Sequence, residues 1–342
     1  MMRRALLSAL LLSAGLSGPQ AAAQAPVART NWAVTRVGGE VFAFYGLGAG
    51  KTSADIARDV HALDLKSGQW RKVGDLPVTQ GRLASAAVTV AGKVYVIGGY
   101  TVSPTGEEVS TPEVLRFDPA KRGFAQETSM PVPVDDSVAM VWRERWIVLV
   151  SGWHDTGNVS AVQFYDTQAR RWSEGTPWPG APVFGHAGGL TGDVMAVCDG
   201  VTSTKSPDGK NQFALSDECW EGRLSEEHPG QIAWRRLPAH PGAPLYRAGA
   251  TGADAGRILF AGGSNRPYNY NGIGYDHQPS EPSQAVFSFD AARGTWQQHA
   301  PLPEAGMDFR GLIPLGEGAY GLFGGMRAGQ QVSAGVIRFT PR

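Results

Sequence analysis

From about residue 30 onward, apolar positions come in short runs at a period of two, and each run stops at glycine. GKVYVIGGYTV, residues 92–102, is the clearest copy: a half-buried strand ended by Gly98 and Gly99. Comparable stops fall at Gly46-Leu47-Gly48, Ser151-Gly152, Asp199-Gly200, Gly262-Gly263 and Gly324-Gly325, at a spacing of about 50 residues. After most stops an apolar strand ends in an acid, and an aromatic residue follows six positions later: Asp64 with Trp70, Asp118 with Phe124, Asp166 with Trp172, Asp290 with Trp296. The acid shapes a tight turn, and the aromatic packs back between neighbouring sheets. A further copy, around Cys219, Trp220 and Trp234, is distorted by an insertion.

Each repeat therefore predicts four strands, and six repeats predict an all-β chain. The glycine pairs let backbones crowd where a Cβ would collide. The last repeat ends early: VIRFTPR, residues 336–342, matches the third-strand string VLRFDPA, residues 114–120. A strand near QAPVART, residues 24–30, is expected to complete the last blade and close the ring. The pattern resembles the kelch superfamily, which implies a six-bladed kelch-type β-propeller.

The first residues follow a different pattern. MMRR, then ALLSALLLSAGL, then AAAQ read as a signal peptide over residues 1–23, cleaved after Ala23, ahead of one domain over 24–342. The expectation is a protein of the periplasm or the extracellular medium, free of the membrane after cleavage. In such a compartment Cys198 and Cys219, the only cysteines, can bridge across adjacent strands; two buried thiols are the alternative. Lys plus Arg and Asp plus Glu each total 31, so the net charge is zero and no nucleic-acid partner is expected.

Functional charge must then be local. Counting back from each second strand places Arg29, Arg82, Asp135 or Asp136, His186, Arg247 and Arg310 where each blade meets the central channel. Four guanidiniums at one opening, offset in part by Asp135, Asp136 and Asp308, suggest an anionic ligand bound in forked geometry; arginines that merely hold the ring shut are the alternative. The loops after the glycine stops carry Tyr100, Glu107 and Glu108, then Trp153, His154 and Asp155, and in the longest Arg266, Tyr268, Tyr270, Tyr275 and His277. Flat rings beside amides suit a sugar surface, or these side chains pack into a cover of their own.

The stretch ILFAGGSNRPYNYNGIGYDHQPSEPSQAVFSFD resembles the insertion-bearing blade of the bacterial N-acetylneuraminate epimerases, or sialic acid mutarotases. The resemblance implies an exported isomerase of sugar acids. In that family a Glu and, six residues on, an Arg follow the fourth glycine stop; here Val201 stands in the first place and only Lys205 and Lys210 follow. For mutarotation, His186 is the first acid-base candidate, because it titrates near neutrality, with Asp135, Asp136 and Asp308 behind it. No metal-ligand or cofactor motif is found. The expected ligand is a small anionic sugar or an oligosaccharide held by a monomer. A non-catalytic propeller binding carbohydrate, or a protein partner on the loop face, is the competing class.

Overall fold

A computed structural model describes residue 25 and residues 27–342; the expected signal peptide lies outside the described residues. These contain six antiparallel sheets arranged as blades, five of four strands and one of three, and no α-helix. The first blade is Ala33–Val37, Glu40–Phe44, Asp59–Asp64 and Trp70–Asp75; the sixth is Ile313–Gly316, Ala319–Phe323 and Val336–Phe339. First strands of consecutive blades pack around an axis, and that of the sixth returns to that of the first. The six-bladed β-propeller expected from the repeats is the fold.

Burial follows position within the blade. Second strands such as Trp146–Val150 are buried on both faces, because a sheet packs against each, whereas outer strands such as Arg171–Glu174 are largely exposed. An apolar cluster fills each seam between blades, including the closing one, where Trp32, Val34 and Val41 meet Ile313 and Phe323.

The repeat landmarks have clear tasks. Asp64, Asp118, Asp166 and Asp290 each accept two backbone N–H bonds from the turn that follows. The indoles of Trp172, Trp234 and Trp296 donate to carbonyls of the preceding blade, at Thr128, Thr176 and Pro238. Trp234 performs this task in the distorted copy. The glycine stops stitch each blade to the next: N–H groups of Gly99, Gly152, Gly200, Gly263 and Gly325 donate to carbonyls of Val134, Val183, Leu245, Gly306 and Arg29. A Cβ on Gly99, whose φ is +87°, would strike Ser85 Oγ and the Leu83 carbonyl.

Closure uses the N-terminal segment: Ala25 and Arg29 donate to the carbonyls of Ala334 and Ser333 at 2.8 and 3.1 Å, just before the last strand. Among the described residues this segment forms no named strand and the sixth sheet keeps three. The part of the expected closing strand that precedes Ala25 lies outside the described residues.

Candidate functional site

Where each blade turns inward to begin its first strand, one residue takes a left-handed backbone: Asn31, Ala84, Asp136, Gly185, Arg247 and Asp308, with φ between 49° and 67°. The residue before it pairs with the one beyond the glycine stop, in all six blades: Thr30 with Leu47, Leu83 with Tyr100, Asp135 with Trp153, Phe184 with Val201, Tyr246 with Ser264, Met307 with Met326. N–H groups of Asp136, Gly185, Arg247 and Phe309 donate to carbonyls of Ala84, Asp136, Gly185 and Arg247, giving a chain of bonds around the axis. These bonds offset the strain of left-handed non-glycine residues.

Four of the predicted residues converge inside this ring. Arg247 grips Asp136 in forked geometry, Nη2 to Oδ2 at 2.5 Å and Nε to Oδ1 at 3.2 Å, and reaches Asp308 Oδ1 at 3.1 Å. Arg310 pairs with the same Asp136 oxygen and lies 3.5 Å from Asp308. Thr30 Oγ1 and Asn31 Nδ2 donate to Asp308 at 2.5 and 3.1 Å, and Asn31 Oδ1 accepts from Ala84 N–H and Arg310 Nε. The Arg247 guanidinium also lies over the Tyr246 and Tyr268 rings, at 4.7 and 5.2 Å. Burial alone would raise the Asp136 carboxyl, but Arg247 and Arg310 hold it below its ordinary value. Two cations thus meet two carboxylates, and all four side chains are at least nine-tenths buried.

The neighbouring groups behave differently. Asp135 is buried, and desolvation, reinforced by the charge of Asp136, pushes its carboxyl well up; Ser110 Oγ donates to it at 2.6 Å. His186 Nε2–H donates to the Val150 carbonyl at 2.8 Å, and desolvation lowers its pKa to about 4, so the ring is neutral.

Arg29 and Arg82 do not join the cluster. Arg29 lies 3.5 Å from Asp59, and Arg82 lies 3.1 Å from Glu113 and near the Tyr45 ring. The inward positions in those blades belong to Asn31 and Ala84, two residues further on, and two residues of extended chain span about 6–7 Å.

Below the cluster runs a channel of about 650 Å³, walled by first strands with small side chains such as Ala86, Ala139, Gly188 and Ala250. Ser85, Ser137, His186 and Arg310 stand at its inner end.

Above the cluster, the loops form an aromatic cover. Tyr268, Tyr246, Phe184, Val201, Met307 and Met326 are buried together, and Tyr100 is buried beside Val102. Tyr270, on the long insertion of the fifth blade, packs against the Tyr100 group, so the insertion crosses toward the first two blades. Val201, where the resembled family has its Glu, is wholly buried in this layer, and Lys205 and Lys210 are exposed at the tip of their hairpin. Trp153, Phe213 and Tyr275 remain partly exposed in a row; Phe213 stacks on Tyr275 at 3.9 Å and lies 5.9 Å from Trp153. His154, Asp155 and Glu108 border them on adjoining hairpins. Phe213 was missed in the sequence, because its hairpin, Val201–Lys205 with Asn211–Leu215, reads there as a polar loop.

Cys198 and Cys219, directly opposite on adjacent strands of the fourth blade, form a disulfide, with Cα atoms 4.1 Å apart.

Known proteins bear on this geometry. A family model described as the Kelch motif matches residues 81–131, the second blade. Kelch-like protein 36 of Mus musculus is 27% identical over 313 residues, covering 78% of this chain and 47% of its own length. Kelch-like protein terF of Aspergillus terreus is 25% identical over 339 residues, covering 92% of this chain and 64% of its own. The chain thus spans about half the length of the first of these curated relatives. The solved structure of YjhT superposes with a TM-score of 0.73 at 16% identity, covering 93% of this chain and 96% of that one, which shows a shared fold. Repeat pattern, motif match and fold together support a kelch-repeat β-propeller.

Proposed function

We propose that this chain is an exported, monomeric binding propeller that holds a neutral carbohydrate against the loop-face row of Trp153, Phe213 and Tyr275. The observation that carries this reading is the neutralisation of Arg247 and Arg310 by Asp136 and Asp308 beneath a packed cover. A sugar carboxylate bound to Arg247 would have to displace Asp136 or Asp308, leaving a buried charge unpaired. Partly exposed aromatic rings bordered by carboxylates and a histidine suit hydroxyl-rich, uncharged rings. The expected export and the disulfide agree with each other.

A thermal-shift screen of neutral and acidic oligosaccharides tests the reading. Neutral sugars bind, and Trp153→Ala or Tyr275→Ala weakens binding about tenfold, with the far-ultraviolet β signal retained. Binding confined to sugar acids overturns it.

A second reading is the sugar-acid mutarotase of the N-acetylneuraminate epimerase type. The placement of both His186 and Arg310 at the inner end of the channel favours it. A carboxylate entering from the opposite face would reach these two side chains at the end of the channel. Acceleration of anomer exchange, seen by NMR and abolished in Arg310→Lys, would establish it over the first.

A further inference from the structure

One buried group of chemically active side chains lies outside both the axis cluster and the loop-face row, at the seam between the fourth and fifth blades. Among the described residues, Asp199, Cys219 and His240 are the one set of three His, Cys, Asp or Glu side chains whose donor atoms converge, within 4.8 Å of one another, and all three are buried. Asp199 follows Cys198 on the strand, so alternation would send their side chains to opposite faces. Its left-handed backbone, φ 66°, ends the strand there, and its carboxylate instead lies beside the sulfur.

We propose that reduction of the Cys198–Cys219 disulfide converts this seam into a zinc site, with Cys219 Sγ, His240 Nε2 and Asp199 as ligands and Cys198 Sγ as the fourth. An external dithiol supplies two electrons and two protons. The sulfur–sulfur bond breaks, two thiols form, and the dithiol becomes its own disulfide. Zn²⁺ then takes the thiolates and releases their two protons, together with the one shared between His240 Nε2 and Asp199. Mixed sulfur, imidazole and carboxylate ligation at four positions suits this ion, whose bonds of about 2.0–2.3 Å put donors about 3–4 Å apart. The remaining gap is within the reach of a freed cysteine rotamer.

The contacts that hold His240 and Asp199 in place suit ligation. His240 Nδ1 lies 3.0 Å from the Pro241 carbonyl, so Nδ1–H donates there, and Nε2, which shares a proton with the Asp199 oxygens at 2.9 and 3.0 Å in the disulfide form, is the nitrogen left for a metal. That is the arrangement by which a backbone carbonyl orients a metal-bound imidazole. The ring is further fixed by stacking flat on Phe287 at 4.2 Å and 3°. Asp199 Oδ2 is held by Leu245 N–H at 2.9 Å, which orients the carboxylate in the same way.

The test uses Co²⁺ as a spectroscopic stand-in on the full chain. The oxidised protein shows no thiolate-to-cobalt charge-transfer band. The protein reduced with a phosphine, and separately Cys198→Ser, which frees Cys219 without reductant, each bind one equivalent and show the band, and Zn²⁺ displaces it. Adding His240→Gln to Cys198→Ser weakens binding at least about tenfold. Absence of the band in both reduced forms, its survival in the double variant, or loss of the far-ultraviolet β signal on reduction each overturns the proposal.

Discussion

The axis cluster and the loop-face row above it differ in what they do with their polar and aromatic groups. In the cluster, Asp136, Asp308, Arg247 and Arg310 are paired by charge, Thr30 and Asn31 add bonds, and Arg310 Nη2, 3.5 Å from Asp308, is left without a hydrogen bond. In the row, Trp153, Phe213 and Tyr275 keep part of their surface open, and Glu108 and Asp155 on the bordering hairpins face solvent. Charge gathered at a hub is therefore no measure of capacity for a charged ligand; what counts is the charge left without an internal partner. The cluster locks blades from opposite sides of the ring, and the row keeps part of its ring surface toward solvent.

The largest effect should come from breaking the lock. Arg247→Met strands Asp136 and Asp308 in a dry interior and costs about 3–5 kcal/mol, read by denaturant unfolding. Sugar binding at the row, measured where the variant is still folded, stays intact. A loss below about 1 kcal/mol would show that water reaches the cluster and that the contrast is false.

His186 gives the next effect. Its folded pKa of about 4 lies below the ordinary 6.5. Its contribution to stability is therefore complete above about pH 6.5 and declines as pH falls toward 4, by up to about 3 kcal/mol. His186→Gln should flatten that limb of the stability profile relative to the parent; a parallel profile in the variant would mean that His186 is solvated.

Asp135 lies between the two regions and gives the smallest effect. Its folded pKa is raised, so its contribution is most favourable below the ordinary carboxylate range, about pH 4, and weakens as pH rises toward the folded value. Asp135→Asn should melt higher than the parent at pH 7, by about 1 kcal/mol, and no differently at pH 3. An unchanged melting temperature at pH 7 would place Asp135 with the solvated groups of the row.

Much of the wheel was legible in the primary order, because each landmark does local work repeated in every blade: the acids cap their own turns, and the glycines lie where a Cβ would collide. The disulfide was legible too, since Cys198 and Cys219 fall opposite one another once the strands are placed. The site was legible only in part. Asp136, Arg247, Asp308 and Arg310 were found, but Arg29 and Arg82 were placed too far ahead of their second strands, and a two-residue slip from Asn31 and Ala84 moved them off the axis. Asn31 carried a usable signal, as a residue that tolerates left-handed backbone. The pairing of the axial charges left no trace in any single repeat, because its partners come from three different blades.

The bond from Gly325 N–H to the Arg29 carbonyl unites the last blade with the first. A chain made amino end first must therefore wait with two raw sheet flanks until its sixth blade arrives, so the danger of self-association is greatest just before synthesis is complete.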